Sequence, residues 1–157
     1  MKMDSLSKLA LKISSLTLAI AATSACTAMA TGADSQVSNT QTTTNSTAIT
    51  LGNSAMSSGT NDTVAIGNMA NAGLNSATAV GGQANAAGLG STSIGWQSKA
   101  TAERAQAFGH LANASGVRAT AVGEAAMAGG SNDTVAVGNK ANAGMNSATA
   151  VGGEANA

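Results

Sequence analysis

The chain has no proline and no tyrosine, and its 157 residues include one phenylalanine, one tryptophan, one histidine and one cysteine. So few bulky side chains exclude an ordinary globular core. Burying a Val or Leu contributes about 1.5–3 kcal/mol, whereas ordering each residue costs about 1.5 kcal/mol. One large aliphatic residue per fourteen cannot offset that cost. Continuous backbone hydrogen-bond ladders and burial against other chains must supply the rest, so an obligate oligomer is expected. The single Cys26 excludes an intramolecular disulfide. His110 has no second histidine with which to complete a metal site and is expected to be solvated. Charged residues form only 9% of the chain, and seven basic residues meet seven acidic ones. From Thr31 onward the balance is four basic to six acidic, scattered along the chain. Nucleic-acid binding needs a basic face, and this distribution excludes one.

Catalytic groupings are lacking too. The glycines form no strand–GxGxxG–helix unit, which removes the nucleotide-binding reading. Glu103 with Arg104, and Arg118 with Glu124, read as surface ion pairs or contacts between chains, not as catalytic groups. Asp62 and Asp133 recur within a duplicated NDT, but calcium-binding solenoids use denser Gly/Asp turns. Neither an enzyme activity nor a cofactor or metal is expected.

What the sequence does contain is repetition. Residues 132–157, NDTVAVGNKANAGMNSATAVGGEANA, restate residues 61–86, NDTVAIGNMANAGLNSATAVGGQANA. Only four positions differ: Ile66/Val137, Met69/Lys140, Leu74/Met145 and Gln83/Glu154. The copy is assembled from a smaller unit. A glycine directly after a large apolar residue recurs at positions 52, 67, 81, 95, 109, 123, 138 and 152, in steps of 14 or 15. A short fixed period implies stacked units, each burying its neighbour.

Within each unit the three residues before the glycine alternate, as in Thr78-Ala79-Val80 and Val135-Ala136-Val137. A period of two with β-branched residues predicts a short strand, with large residues on one face and small ones on the other. Phe108 falls in the large column and is expected in the core. Repeated glycine and β-branched residues oppose a helix. A second short strand follows, with alanine columns three and five positions after the glycine, around Asn71, Asn85, Asn113, Asn142 and Asn156. Stacked Asn side chains can hydrogen-bond from turn to turn. Gly73, Gly88, Gly116 and Gly144 are expected to close the turns at positive φ. The 15-residue units are expected to absorb the extra residue in a loop. The fold class is therefore all-β, a solenoid of about eight turns with a very narrow interior. At ~4.8 Å between stacked strands it is roughly 40 Å long. Trp96, just after a glycine, is either an exposed adhesive contact or a filler between chains.

The first thirty residues carry a different signal. Lys2, Lys8 and Lys12 precede the apolar run Ile13–Ala22, and Ala28-Met29-Ala30 offers a small-x-small cleavage pattern, so residues 1–30 are expected to be a signal peptide. The run is too short to span a bilayer. Ser24-Ala25-Cys26 competes as a lipoprotein signal, with lipidation at Cys26, although Thr23 stands where such signals carry Leu. Residues 31–45, TGADSQVSNTQTTTN, hold too little apolar surface to order themselves and read as a flexible polar lead-in, with the repeats occupying 46–157.

The turns NDTVAIG (61–67), NSATAVG (75–81), NDTVAVG (132–138) and NSATAVG (146–152) resemble the NSVAIG-type repeat of YadA-like heads in trimeric autotransporter adhesins. Eight such turns in register cover residues 46–157. The resemblance implies a left-handed parallel β-roll with three chains side by side, a homotrimer, displayed at a bacterial cell surface or outer membrane, or secreted. It implies binding to host extracellular-matrix proteins such as collagen, and self-association through other bacterial heads. By the same resemblance the ligand-binding positions are Asn61, Val64, Ile66, Asn75, Asn132, Val135, Val137 and Asn146. Thr78, Thr92, Gln106, Thr120 and Thr149 depart from the Val of the pattern. The heptad stalk, neck and membrane-anchoring strands of such adhesins are not found here, so the expectation is a head alone: truncated, secreted, or tethered through Cys26. A non-adhesive structural rod or an ice-binding solenoid is the alternative. Ice binding wants a regular Thr array, and Ile49, Val64, Gln106 and Val135 break this one.

Overall fold

The computed structural model describes residues 47–157. The expected signal peptide 1–30, Cys26 and the lead-in 31–45 lie outside the described residues. Those described form fifteen short strands joined by tight corners, with no helix.

The longer strands are β1 (Ala48–Leu51), β3 (Thr63–Ile66), β5 (Thr78–Val80), β7 (Thr92–Ile94), β9 (Gln106–Phe108), β11 (Thr120–Val122), β13 (Val135–Val137) and β15 (Thr149–Val151). Between them lie the two-residue strands β2 (Met56–Ser57), β4 (Asn71–Ala72), β6 (Asn85–Ala86), β8 (Lys99–Ala100), β10 (Asn113–Ala114), β12 (Met127–Ala128) and β14 (Asn142–Ala143). The odd-numbered strands stack in sequence as an eight-stranded sheet and the even-numbered ones as a seven-stranded sheet. Every pairing is parallel. This is a parallel β-solenoid of about seven turns, one fewer than the glycine count suggested. After β15, the eighth turn contributes only a single bridge, Asn142 to Asn156, to the second sheet.

Register follows the repeat without slipping. Leu51 pairs with Ile66, Ile66 with Val80, Val80 with Ile94 and Ile94 with Phe108. The 15-residue units stay in register because their extra residue sits in the corner that precedes β3 and β13. Six residues separate Ser57 from Val64 and Ala128 from Val135, against five between Ala72 and Thr78. The extra residue thus lies in a loop, as the spacing predicts.

The interior reverses one expectation. Four side chains per turn point inward, and almost all are alanine: Ala77, Ala79, Ala84 and Ala86 in one turn, Ala119, Ala121, Ala126 and Ala128 three turns on, all fully buried. The two sheets are too close for anything much larger than a methyl between them. Phe108 therefore lies outside the coil, half-buried, in a column with Val80, Ile94 and Val122. The alternation was legible, but the small face is the inner one. Where serine replaces alanine, its hydroxyl is satisfied locally: Ser93 and Ser98 meet across the interior at 2.7 Å, and Ser91 donates to the Gly88 carbonyl at 2.7 Å. In the two 15-residue units the inward residue is Thr63 or Thr134, whose hydroxyls are buried without a protein partner.

So thin a core leaves cohesion to the backbone. Val64 N–H donates to Ala77 O at 2.9 Å and Gly81 N–H to Ile66 O at 2.8 Å, and the ladder continues through the corners, as in Gln83 N–H to Asn68 O at 2.7 Å. Positive φ falls elsewhere than expected. Gly67, at the end of β3, has φ of 132°, and a Cβ there would lie 2.5 Å from the Gly81 carbonyl oxygen. Gly73, Gly88, Gly116 and Gly144 have no positive φ. Gly88 is glycine for space, because a Cβ would collide with the Ala102 carbonyl of the next turn.

Candidate adhesive surface

With the interior filled almost entirely by alanine, most side-chain variety lies outside. Two residues after each repeat glycine, a non-glycine residue adopts the left-handed conformation, from Ser54 (φ 55°) to Glu154 (φ 59°). A second left-handed corner follows at Asp62, Ser76, Gly90, Arg104, Arg118, Asp133 and Ser147. Each turn thus offers the outer faces of two sheets and two rigid corners.

The outer face of the eight-stranded sheet carries four of the sequence-selected positions. Val64 and Ile66 on β3, and Val135 and Val137 on β13, all point outward and are half-buried by their in-sheet neighbours. Four strands intervene, so the pairs are roughly 24 Å apart. Between them the column continues through Val80, Ile94, Phe108 and Val122, making one apolar stripe along the sheet. Alongside it, Thr78 and Thr92 are neighbours, but Gln106 and Val135 interrupt the hydroxyl row.

The four asparagines lie at the second corner, away from that stripe. Asn75 Oδ1 accepts the Thr60 N–H at 2.7 Å and Asn146 Oδ1 accepts the Asn132 N–H at 2.8 Å. The Asn61 and Asn132 carbonyls accept the Ser76 and Ser147 N–H groups, each at 2.9 Å. These residues lash one turn to the next. A different asparagine ladder runs along the seven-stranded sheet, where Asn71 Nδ2 donates to Asn85 Oδ1 at 3.0 Å and Asn142 to Asn156 at 3.3 Å.

The charged groups pair differently from the sequence reading. Arg118 meets Asp133, with Nε to Oδ1 at 2.6 Å and Nη2 to Oδ2 at 2.7 Å, and does not meet Glu124. Arg118 and Asp133 occupy the same corner in successive turns, whereas Glu124 is at the other corner. The Arg118 hydrogen bonds hold the Asp133 carboxyl below the usual carboxylate range, and Asp133 raises Arg118 in turn. Glu103 and Arg104 do pair, at 3.6 Å. His110 is engaged on both sides: its Nδ1 lies 3.4 Å from Glu124 Oε1, and its ring stacks on Trp96 with centroids 5.0 Å apart. The clue was available, since Trp96, His110 and Glu124 each directly follow a repeat glycine. Among the described residues no three His, Cys, Asp or Glu side chains gather to hold a metal, and no helix is long and apolar enough to cross a membrane.

A coil with a uniform interior and a patterned exterior defines a repeat β-solenoid that presents rows of side chains. The YadA head domain repeat (2 copies) matches at residues 75–98, 86–112, 100–126 and 114–141, which together span residues 75–141. That family is one of exported cell-surface adhesins whose heads are in general trimeric. A comparison with curated proteins finds no match to this chain.

Proposed function

We propose that the solenoid is the head of a homotrimeric, cell-surface adhesin. It is wound as a left-handed β-roll and binds collagen-like matrix proteins or further heads of its own kind. The apolar stripe from Ile66 to Val137 carries this reading. Soluble monomers rarely expose continuous apolar rows, and such rows mark contact surfaces. Three copies packed through this face would supply the burial that an alanine interior cannot. Trimerisation also presents each surface motif three times, so weak individual contacts gain strength through effective concentration.

In this reading Val64, Ile66, Val135 and Val137 serve the contact between chains, and the Asn61, Asn75, Asn132 and Asn146 corners shape the surface offered to the ligand. Residues 1–30 direct export, and Cys26 is the alternative point of lipid attachment.

Multi-angle light scattering on the exported chain, followed by binding to immobilised collagen and a bacterial aggregation assay, tests the proposal. The expected result is three times the chain mass, with saturable binding or aggregation. A folded monomer would remove the trimer and, with it, the multivalent mechanism.

A further inference from the structure

The corner that follows each repeat glycine stacks one residue per turn: Asn53, Asn68, Gly82, Trp96, His110, Glu124, Asn139 and Gly153. Trp96 is the one large apolar side chain in this row, and half of it is exposed. One indole face is covered. It stacks on His110 at 5.0 Å with 22° between the planes, His110 is held by Glu124 at 3.4 Å, and Glu124 Oε2 accepts from Asn139 Nδ2 at 3.2 Å. The opposite face is open, since half of the side chain is exposed although His110 covers one face. Gly82 meets the ring at its edge: a Cβ on that glycine would lie 3.0 Å from Trp96 Cδ1 and 3.6 Å from Nε1, so a side chain there would crowd the indole N–H.

The polar surroundings suit a ligand with both donors and acceptors on its rim. Among the described residues the indole Nε1–H has no acceptor. In the adjacent row Gln97 Nε2 donates to Gln83 Oε1 at 3.0 Å, which leaves the Gln97 oxygen and the Gln83 amide hydrogens available. The platform is rigid: Gln97 N–H donates to Gly82 O at 2.9 Å and Leu111 N–H to Trp96 O at 3.0 Å, so the corner is tied above and below. A preorganised site loses little freedom on binding.

We propose that this corner is a carbohydrate site, in which a neutral hexopyranose lays its C–H face on the free face of Trp96. Its ring hydroxyls then meet the Gln83–Gln97 amide pair and the indole N–H. An aromatic plane with a few placed polar groups is the general form of a small-molecule site. A nucleotide would stack equally well on the ring, but the row contains no Lys or Arg to meet its phosphate. The inference does not depend on the trimer, although three copies would strengthen it by avidity.

Trp96 is the sole tryptophan, so the fluorescence of the full chain reports on this corner alone. Lactose and tri-N-acetylchitotriose are titrated, with sorbitol as a polyol that lacks a ring face. The expected result is a saturable emission change with a ring sugar, none with sorbitol, and retention on the matching sugar resin. Trp96→Ala should weaken retention about tenfold or more, and Trp96→Phe should restore part of it. Gly82→Ser, which crowds the indole N–H edge that the sugar hydroxyls would meet and leaves the tryptophan in place, should weaken it with unchanged circular dichroism, while Lys140→Ala binds as the parent does. The proposal is overturned if neither sugar gives a saturable change, if sorbitol gives the same one, or if Gly82→Ser binds normally. It is overturned too if Trp96→Ala lowers the oligomeric mass without affecting retention, since the indole would then be a filler between chains.

Discussion

Arg118 and Asp133 stand at the same corner of successive turns and meet in a two-pronged ion pair, 2.6 and 2.7 Å long. The equivalent corner of the earlier copy joins Asp62 to Thr47, which carries no charge. Near-identical coils therefore differ in how they respond to acid. Asp133 has its folded pKa lowered, chiefly by the Arg118 hydrogen bonds. Its contribution is present above the ordinary carboxylate value of about 3.9 and is lost as pH falls through the depressed folded value. Both side chains are exposed, so the effect is small and sensitive to salt. Arg118→Gln should lower the melting temperature slightly at neutral pH. The difference from the parent should shrink toward zero in strong acid or at high salt, as followed by circular dichroism.

The Ser93–Ser98 pair is the one place where two hydroxyls meet inside the coil. Ser98 also donates to the Gly95 carbonyl at 2.9 Å, so Ser93→Ala leaves it partnered and should cost about 1 kcal/mol or less. The double replacement Ser93→Ala with Ser98→Ala reproduces the alanines found in neighbouring turns and should be close to neutral. Chemical denaturation of the two single variants and the double one measures the coupling. A double variant worse than the sum of the singles would contradict the local account.

Ala121 sits inside, fully buried, between Ala107 and Ala136 in the sheet. Ala121→Leu forces a side chain into a space sized for a methyl, and overpacking typically costs about 1–3 kcal/mol. Here the cost should exceed that range, because a ladder-bonded coil cannot widen at one turn alone. Val122→Leu, one residue along and facing outward, should be nearly silent toward the fold of a single coil. Calorimetry of the pair distinguishes inside from outside directly.

Val135 lies on the proposed face between chains, and Lys140 is exposed at a corner. Val135→Asp should disperse the oligomer in light scattering, since it places an unpaired charge in an apolar contact. Lys140→Ala should leave the mass unchanged. Equal tolerance of both would move the contact away from the eight-stranded sheet.

Much of this was legible in the residues. A glycine every 14 or 15 positions dictates the stacking, and β-branched residues alternating with small ones dictate short strands. Copies in fixed register could only pair in parallel. The alanine columns announced a narrow interior. What those columns did not say was that the larger residues must then be outside. Alternation marks two faces without saying which one the coil closes around, and bulk ordinarily goes inward. Phe108 lies outside against that ordinary rule, and Arg118 meets Asp133 and not the nearer-in-sequence Glu124 because sharing a corner, not nearness along the chain, decides the pairing.

The period, the strands and their register were determined by the sequence alone, because each follows from local backbone preference and from identity between turns. Closure of the coil decided the rest. Bringing two sheets so close together expels the large aliphatic and aromatic side chains and admits only alanine, serine and threonine. It also sets residues one turn apart side by side, which puts the edge of the Trp96 indole beside Gly82 and its face against His110.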